Sequence, residues 1–273
     1  MMGFISDSKS SPRTGKAVAS LRHAWAQDFL AHRYEKILPE DEAVLAESEA
    51  ASAISYGDFL TAFAQKTPQK PLHTALLPQP FIGDPESAKV ILLMLNPGLG
   101  PMDYYSELSD NRDATYIQAL QRNLRGDATD HPFFFLDPSF RWHPGAEYWD
   151  RRLGWLIDAF VAHGLKPNES RRLVAQNVCC IQSLPYHSTN FSGLRALLKA
   201  LPSVKLARDA ATELATDPTR LTIVMRNAEF WQLAEANNVR HAAISHRRNA
   251  AIPADSFHGH AILQWLQHTA RSS

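Results

Sequence analysis

The sequence predicts an α/β fold, a mostly parallel sheet covered on both faces by helices. Three observations carry that expectation. Residues 90–95 form an unbroken apolar run that stops abruptly at Asn96-Pro97-Gly98. A short apolar run bounded by breakers reads as a strand buried on both faces, because a strand between two helical layers has no wet side. Three further apolar runs, 178–181, 221–225 and 239–244, alternate with stretches whose apolar residues recur at helical spacing. Strands separated by helices build parallel sheets, since a parallel pair needs a long crossover.

Taken in order, residues 17–37 place Val18, Leu21, Trp25 and Phe29 on one helical face, and Pro39 ends that helix. Residues 40–49 are acidic and read as a solvated helix or loop. A short helix follows near 56–64. Pro68, Pro71, Pro78, Pro80 and Pro85 then mark an extended connection into the first strand. After that strand a loop rich in Gly, Pro and Tyr gives way to a helix near 114–124. Residues 131–145, HPFFFLDPSFRWHPG, form a proline-punctuated aromatic loop. The next helix, 147–163, carries Leu153, Leu156, Ile157, Phe160 and Val161 on one face, with Gly164 as its cap. Ser192 and Ser203 are placed to cap helices ending near 201 and 215, and Asn227 to cap one carrying Phe230 and Trp231. A final helix carries Phe257, Ala261, Trp265 and Leu266. The expected organisation is an N-terminal tail and helical extension over 1–85, packed on an α/β domain over 86–273.

The chain has 273 residues, enough for one sizeable core or two small ones. It is 45% hydrophobic and 21% charged, the balance of an ordinary globular protein. Lys plus Arg and Asp plus Glu are equal at 28 each, which argues against coating nucleic acid through overall charge. A local basic face remains compatible with that balance. The two cysteines, Cys179 and Cys180, are adjacent in an apolar run and read as buried free thiols. A four-cysteine zinc or iron–sulfur site needs more ligands than the chain has. Free thiols fit a reducing, cytoplasmic location. No apolar run approaches a membrane span, and residues 1–16 lack the apolar core of a secretory signal. A monomer with no membrane partner is expected.

Three strand ends carry residues with chemistry: Asn96, the loop 182–188 and the loop 246–249. In a parallel sheet such ends share one edge, where ligands bind. No G-x-S-x-G elbow is present, and Gly98-Leu99-Gly100 lacks the third glycine of a dinucleotide fingerprint. His241, His258 and His260 have no matching carboxylate pattern, so no metal and no cofactor are expected. An amide, a histidine and paired arginines at one edge suit base excision. The amide orients a water, a histidine or arginine stabilises the base as it leaves as an anion, and aromatics stack on it. The arginines meet flanking phosphates.

These residues carry a resemblance. ILLMLNPG resembles the first motif of the uracil-DNA glycosylase superfamily, closest to its mismatch-specific and single-strand-selective branches, which show G-x-N-P-G there. AAISHRRNAAIP resembles the second motif, and VCCIQSLP resembles the middle strand of the single-strand-selective branch. Together they span about two thirds of the chain. The resemblance implies a three-layer α/β/α sandwich around a four-stranded parallel sheet, DNA (double- or single-stranded) as partner, and no cofactor. It implies that Asn96 orients water and that His187 and His246 compete to stabilise the leaving base. Gln182 reads the base edge, over a floor of Pro97 and Gly98. Tyr104 or Tyr105, or Phe133, Phe134 and Phe135, stack on the base. Arg247, Arg248 and Asn249 contact DNA. The sequence departs from the pattern at three points. Leu95 replaces the glycine before the amide. Gln182 replaces a base-reading Asn and moves the amide by about a bond length, which opens the specificity beyond uracil. His246 is displaced by two positions from the family histidine when Arg248-Asn249 is aligned. The resulting expectation is a monofunctional DNA glycosylase acting on a uracil-like, damaged or modified base. The alternative is a non-catalytic module on the same fold that binds nucleic acid or protein, which neutral charge and altered motifs favour.

Overall fold

The computed structural model describes residues 15–32, 34–67, 70–189, 191, 193–241 and 252–271. His246, Arg247, Arg248 and Asn249 lie outside the described residues, as do Ser192 and the end of the fourth expected strand.

The first helix, α1 (Lys16–Trp25), buries Val18, Leu21 and Trp25 at the spacing the sequence shows. It stops at Ala26, short of the expected 37. The Asp28 carboxylate accepts from the backbone N–H groups of Leu30 and Ala31, and so starts a separate short helix, α2 (Phe29–His32). A tight turn over Pro39–Asp41 leads into α3 (Glu42–Ser48). This acidic stretch is not wholly solvated. Asp41 is fully buried and accepts from Tyr186 Oη at 2.6 Å and from the backbone N–H of Ser203 at 3.0 Å. Burial pushes its carboxyl above the usual range, against those hydrogen bonds.

Strand β1 (Ala51–Ser52) precedes α4 (Tyr56–Ala64), which Ser55 caps. The proline-rich connection then contains two short strands, β2 (Leu72–His73) and β3 (Phe81–Ile82), before β4 (Val90–Met94). Beyond it come α5 (Pro101–Leu108), α6 (Ala114–Arg125), α7 (Pro144–Ala162) and α8 (Pro167–Asn177). Strand β5 (Val178–Gln182) is followed by β6 (His187–Ser188), then α9 (Leu197–Ala200) and α10 (Pro202–Thr216). The chain continues through β7 (Leu221–Val224), α11 (Ala228–Trp231), β8 (Val239–His241) and α12 (Phe257–Arg271). Asn227 precedes α11 without a side-chain cap, in the left-handed conformation at φ 58°.

The main sheet has the order β3-β5-β4-β7-β8. β4 runs parallel to β5 and β7, β7 runs parallel to β8, and β3 is antiparallel to β5. The sheet is therefore mixed and five-stranded, where the sequence predicts a four-stranded parallel one. The added edge strand follows from its flanks. Pro80 offers its carbonyl to the N–H of Gln182 at 2.9 Å, and Gly83 turns the chain away at φ +100°. A Cβ at Gly83 would lie 2.6 Å from the Val178 carbonyl oxygen, so no side chain fits there. Every residue of β4, β5 and β7 is buried, so both faces of this sheet are covered. α12 packs on β4 and β7, α10 on β5 and β7, and α8 on β5. α1 lies along α10 and joins the same core.

A second, small sheet has the order β1-β2-β6. β2 pairs antiparallel with β6, placing Leu72 opposite Ser188 and His73 opposite His187.

Candidate functional site

A cavity of about 340 Å³ opens at the carboxyl ends of β4 and β5. The register Met94↔Gln182 puts the last residues of these strands side by side, so Asn96 lies just past Gln182. The loops beyond are tied together. Leu184 N–H donates to the Leu95 carbonyl at 2.9 Å, and Ser183 Oγ donates to the same oxygen at 2.6 Å. Asn96, Gln182 and His187 all line the cavity, together with Pro97 and Gly98.

Asn96 is fixed through its nitrogen. Nδ2 donates to the Pro97 carbonyl at 2.6 Å and to Ser188 Oγ at 2.7 Å. A carbonyl only accepts, so the amide orientation is unambiguous and Oδ1 is left as a hydrogen-bond acceptor. His187 donates from Nδ1 to the Gly98 carbonyl at 2.8 Å, so in the tautomer this bond selects the acceptor nitrogen is Nε2. That Nε2 is buried without a partner among the described residues, as is Gln182 Oε1. Both side chains are more than nine-tenths buried.

The aromatic loop supplies a third such group. His143 precedes Pro144, the first residue of α7, and its Nδ1 accepts from the backbone N–H of Gly145 at 3.0 Å. The ring proton is therefore on Nε2, which has no hydrogen-bond partner among the described residues and lies 3.6 Å from Asp103 Oδ1, beyond hydrogen-bond length. Burial pushes the His143 imidazole down to about 4, against the pull of the Asp103 carboxylate, and His187 adds to the depression. The ring is neutral at neutral pH and still carries a donor. Asp103 also lines the cavity, its other oxygen accepting from Gly100 N–H at 2.7 Å. One turn further along α5, Glu107 is buried and accepts from Leu77 N–H at 2.7 Å. Burial raises its carboxyl to about 8. Behind His187, burial and the His187 ring push His73 down to about 4.

The expected stacking residues divide. Phe135 lines the cavity, with Tyr148 and Trp149 from α7. Arg152 lies over the Tyr148 ring, 3.4 Å from its centre. Tyr104, Tyr105, Phe133 and Phe134 do not line it. Pro101 starts a helix, so Tyr104 is carried onto the face packed against α4. There it is fully buried, stacked 4.0 Å from Phe59, with its hydroxyl 2.9 Å from His73 Nδ1. Tyr105 is partly exposed beside Tyr56. Phe133 packs edge-on to Trp149, and Phe134 packs against Tyr116 and Phe140 in the core. The described lining contains no Lys or Arg, and Asp103 is its one carboxylate; Arg247 and Arg248 lie outside the described residues.

His143, Asp103, Tyr148 and Trp149 are among the lining residues that sequence reasoning missed. A signal existed for His143, because Pro is favoured at the first helical position and the residue before it caps the helix. Among the described residues no group of three or more His, Cys, Asp or Glu side chains is placed to hold a metal ion. His241 Nε2 instead meets the Leu233 carbonyl at 2.7 Å. Cys179 and Cys180 are buried free thiols. No described helix is long and apolar enough to cross a membrane. No protein-family model, curated protein or solved structure matches the chain.

Proposed function

We propose that this protein is a monofunctional DNA glycosylase, a monomeric cytoplasmic enzyme on the three-layer α/β/α architecture of the uracil-DNA glycosylase superfamily. One observation carries the reading. Three nearly wholly buried side chains that line the cleft, Gln182, His187 and His143, each carry a polar atom with no partner among the described residues, and the amide of Asn96 is locked there by its nitrogen. Buried polar atoms without partners are costly, and their concentration in one cavity points to a polar ligand that satisfies them.

Asn96 Oδ1 accepts a hydrogen bond from a water and directs its lone pair at the sugar carbon of a flipped nucleotide. The glycosidic bond breaks with its electron pair going to the base. The proton lost by the water ends on the departing base, so the products are free base and an abasic sugar. Gln182 Oε1 and His187 Nε2 accept from the base edge. His143 Nε2–H, a neutral donor, stabilises the negative charge developing on the base. Phe135 and Tyr148 hold its faces.

The test is abasic-site formation on oligonucleotides carrying uracil and a panel of damaged or modified bases, read by alkaline strand cleavage. Cleavage at one lesion supports the reading. No cleavage at any lesion, by a folded protein in excess over DNA, overturns it. A second reading is hydrolysis of free nucleosides, which the lack of any cation in the described lining favours. Release of base from nucleosides, with none from oligonucleotides, would select it.

A further inference from the structure

A second hollow, of about 560 Å³, lies beyond the carboxyl end of β7 and is lined by Arg195, Lys199, Arg208, Asn227, Glu229 and Phe230 among others. The topology sets it beside the first. Val224 is the register partner of Leu93, and Asn227 and Asn96 each lie three residues further on. Arg195 and Lys199 belong to the segment that follows β6, the strand bearing His187. Arg208 reaches in from α10, its guanidinium 5.2 Å from the centre of the Phe230 ring.

The cations here contrast with the ion-paired ones elsewhere on the surface. Arg151, Lys166, Arg171, Arg172 and Lys205 each have a carboxylate partner. Arg195, Lys199 and Arg208 have none among the described residues, and Glu229 is the hollow's single carboxylate. Three like charges lining one hollow outnumber its single described carboxylate, and an anion relieves their mutual repulsion. Asn227 also lines the hollow; its Nδ2 is buried with no hydrogen-bond partner among the described residues, on a backbone held at φ 58°. Cations and an unused amide donor are the groups that meet phosphate oxygens.

We infer that this hollow holds phosphate groups of a nucleic-acid strand whose base enters the neighbouring cleft. The inference rests on the base-excision reading for its choice of ligand. The two sites divide the work: the cleft takes a neutral heterocycle, and the hollow takes the charge of the backbone.

The experiment measures binding of a short fluorescent single-stranded oligonucleotide without a lesion, by anisotropy over a salt series. It compares the wild type, the triple variant R195Q/K199Q/R208Q and Asn96→Ala. Single strands lose about 0.7 in log–log salt slope for each phosphate contact removed. The triple variant is therefore expected to bind at least about tenfold more weakly at low salt, with its slope reduced by about 2. Asn96→Ala keeps the wild-type slope. Should the triple variant fail to fold by circular dichroism, Lys199→Glu, at an exposed position, carries the test and is expected to weaken binding in the same direction. Inorganic phosphate is titrated separately by thermal shift. Stabilisation by phosphate with no oligonucleotide binding identifies a small-anion pocket and overturns the inference. Equal affinity and slope in the wild type and the charge variants also overturns it. The two readings fail separately. A charge-dependent slope with no excision of any lesion leaves the phosphate site standing and removes the glycosylase. Excision with no change in binding does the reverse.

Discussion

Replacing Asn96 separates a turn-forming residue from a water-orienting one. In Asn96→Ala both bonds from Nδ2 are lost, to the Pro97 carbonyl at 2.6 Å and to Ser188 Oγ at 2.7 Å. Each is worth about 0.5–1.5 kcal/mol net, so the variant loses about 1–3 kcal/mol of stability. For a chain of this size that lowers Tm by roughly 2–6 °C. The loss of rate is larger. Orientation of a weak nucleophile contributes several kcal/mol, and about 3 kcal/mol is roughly a hundredfold in rate. Some activity survives, because the Pro97 carbonyl loses one of its two donors and can hold the water in part; Ser188 N–H remains on it at 3.3 Å. Asn96→Asp tests the geometry from the other side. An Asn that shapes a turn commonly does so through its oxygen, and Asp then substitutes without penalty. Here the nitrogen makes the turn contact, so Asp sets a carboxylate against the Pro97 carbonyl. The expected order of Tm is wild type, then Asn96→Ala, then Asn96→Asp. Differential scanning calorimetry gives the Tm values, and single-turnover excision with enzyme in excess gives the rate. Full excision by Asn96→Ala refutes the water-orienting role. A wild-type Tm for Asn96→Asp refutes the assignment of the nitrogen to the turn.

Three further outcomes are expected. Gln182→Leu removes a buried oxygen that has no partner among the described residues, and should raise stability by about 1 kcal/mol while cutting excision at least about tenfold; calorimetry and single-turnover rates check both halves, and unchanged excision removes Gln182 from base recognition. His143→Phe keeps the ring's bulk, costs about 1 kcal/mol of helix capping, and should slow excision about a hundredfold. Folded His143 and His73 sit at about 4 against an ordinary 6.5, so between those values the unfolded chain binds more protons and stability rises with pH. Tm should therefore fall as buffer is acidified from 6.5 to 4, and less steeply in a His73→Phe/His143→Phe double variant. Glu107 behaves oppositely: its folded carboxyl is raised to about 8, so the folded state holds the extra proton and stability is lost as pH climbs from 4.5 through 8. Glu107→Gln should remove that loss and melt above the wild type at pH 8, whereas parallel Tm curves would falsify the assignment.

The long strands were legible in the sequence because burial on both faces leaves an unbroken apolar signature, as in 90–95 and 178–181. Their ends, and with them Asn96 and Gln182, followed from the breakers. The two-residue strands β3 and β6 were not legible. Phe81-Ile82 and His187-Ser188 are too short for any period, and what makes them strands is the partner across the ladder. The stacking residues were misplaced for a related reason. Composition shows that 99–108 and 131–145 are rich in aromatics, but only the helix phase set by Pro101 turns Tyr104 into the core. The phase set by Pro144 likewise turns Tyr148 and Trp149 toward the cleft. Asp41 shows the limit most sharply. Nothing local separates it from Glu40 and Glu42, and its burial is decided by Tyr186 and Ser203, far along the chain.

The small sheet bears on how this chain can be cut. Strand β6 carries both His187 and Ser188, the residue that grips Asn96, and its strand partner is β2. Tyr186, the preceding residue, is bolted to Asp41 and to the backbone of Leu38. The first third of the sequence is thus the jig in which the working parts of the remainder are aligned. A fragment beginning at the first long strand would keep nearly every side chain of the cleft and lose the frame that aims them. The unit that can be inherited, fused or transplanted with its chemistry intact is longer than the stretch bearing the motifs.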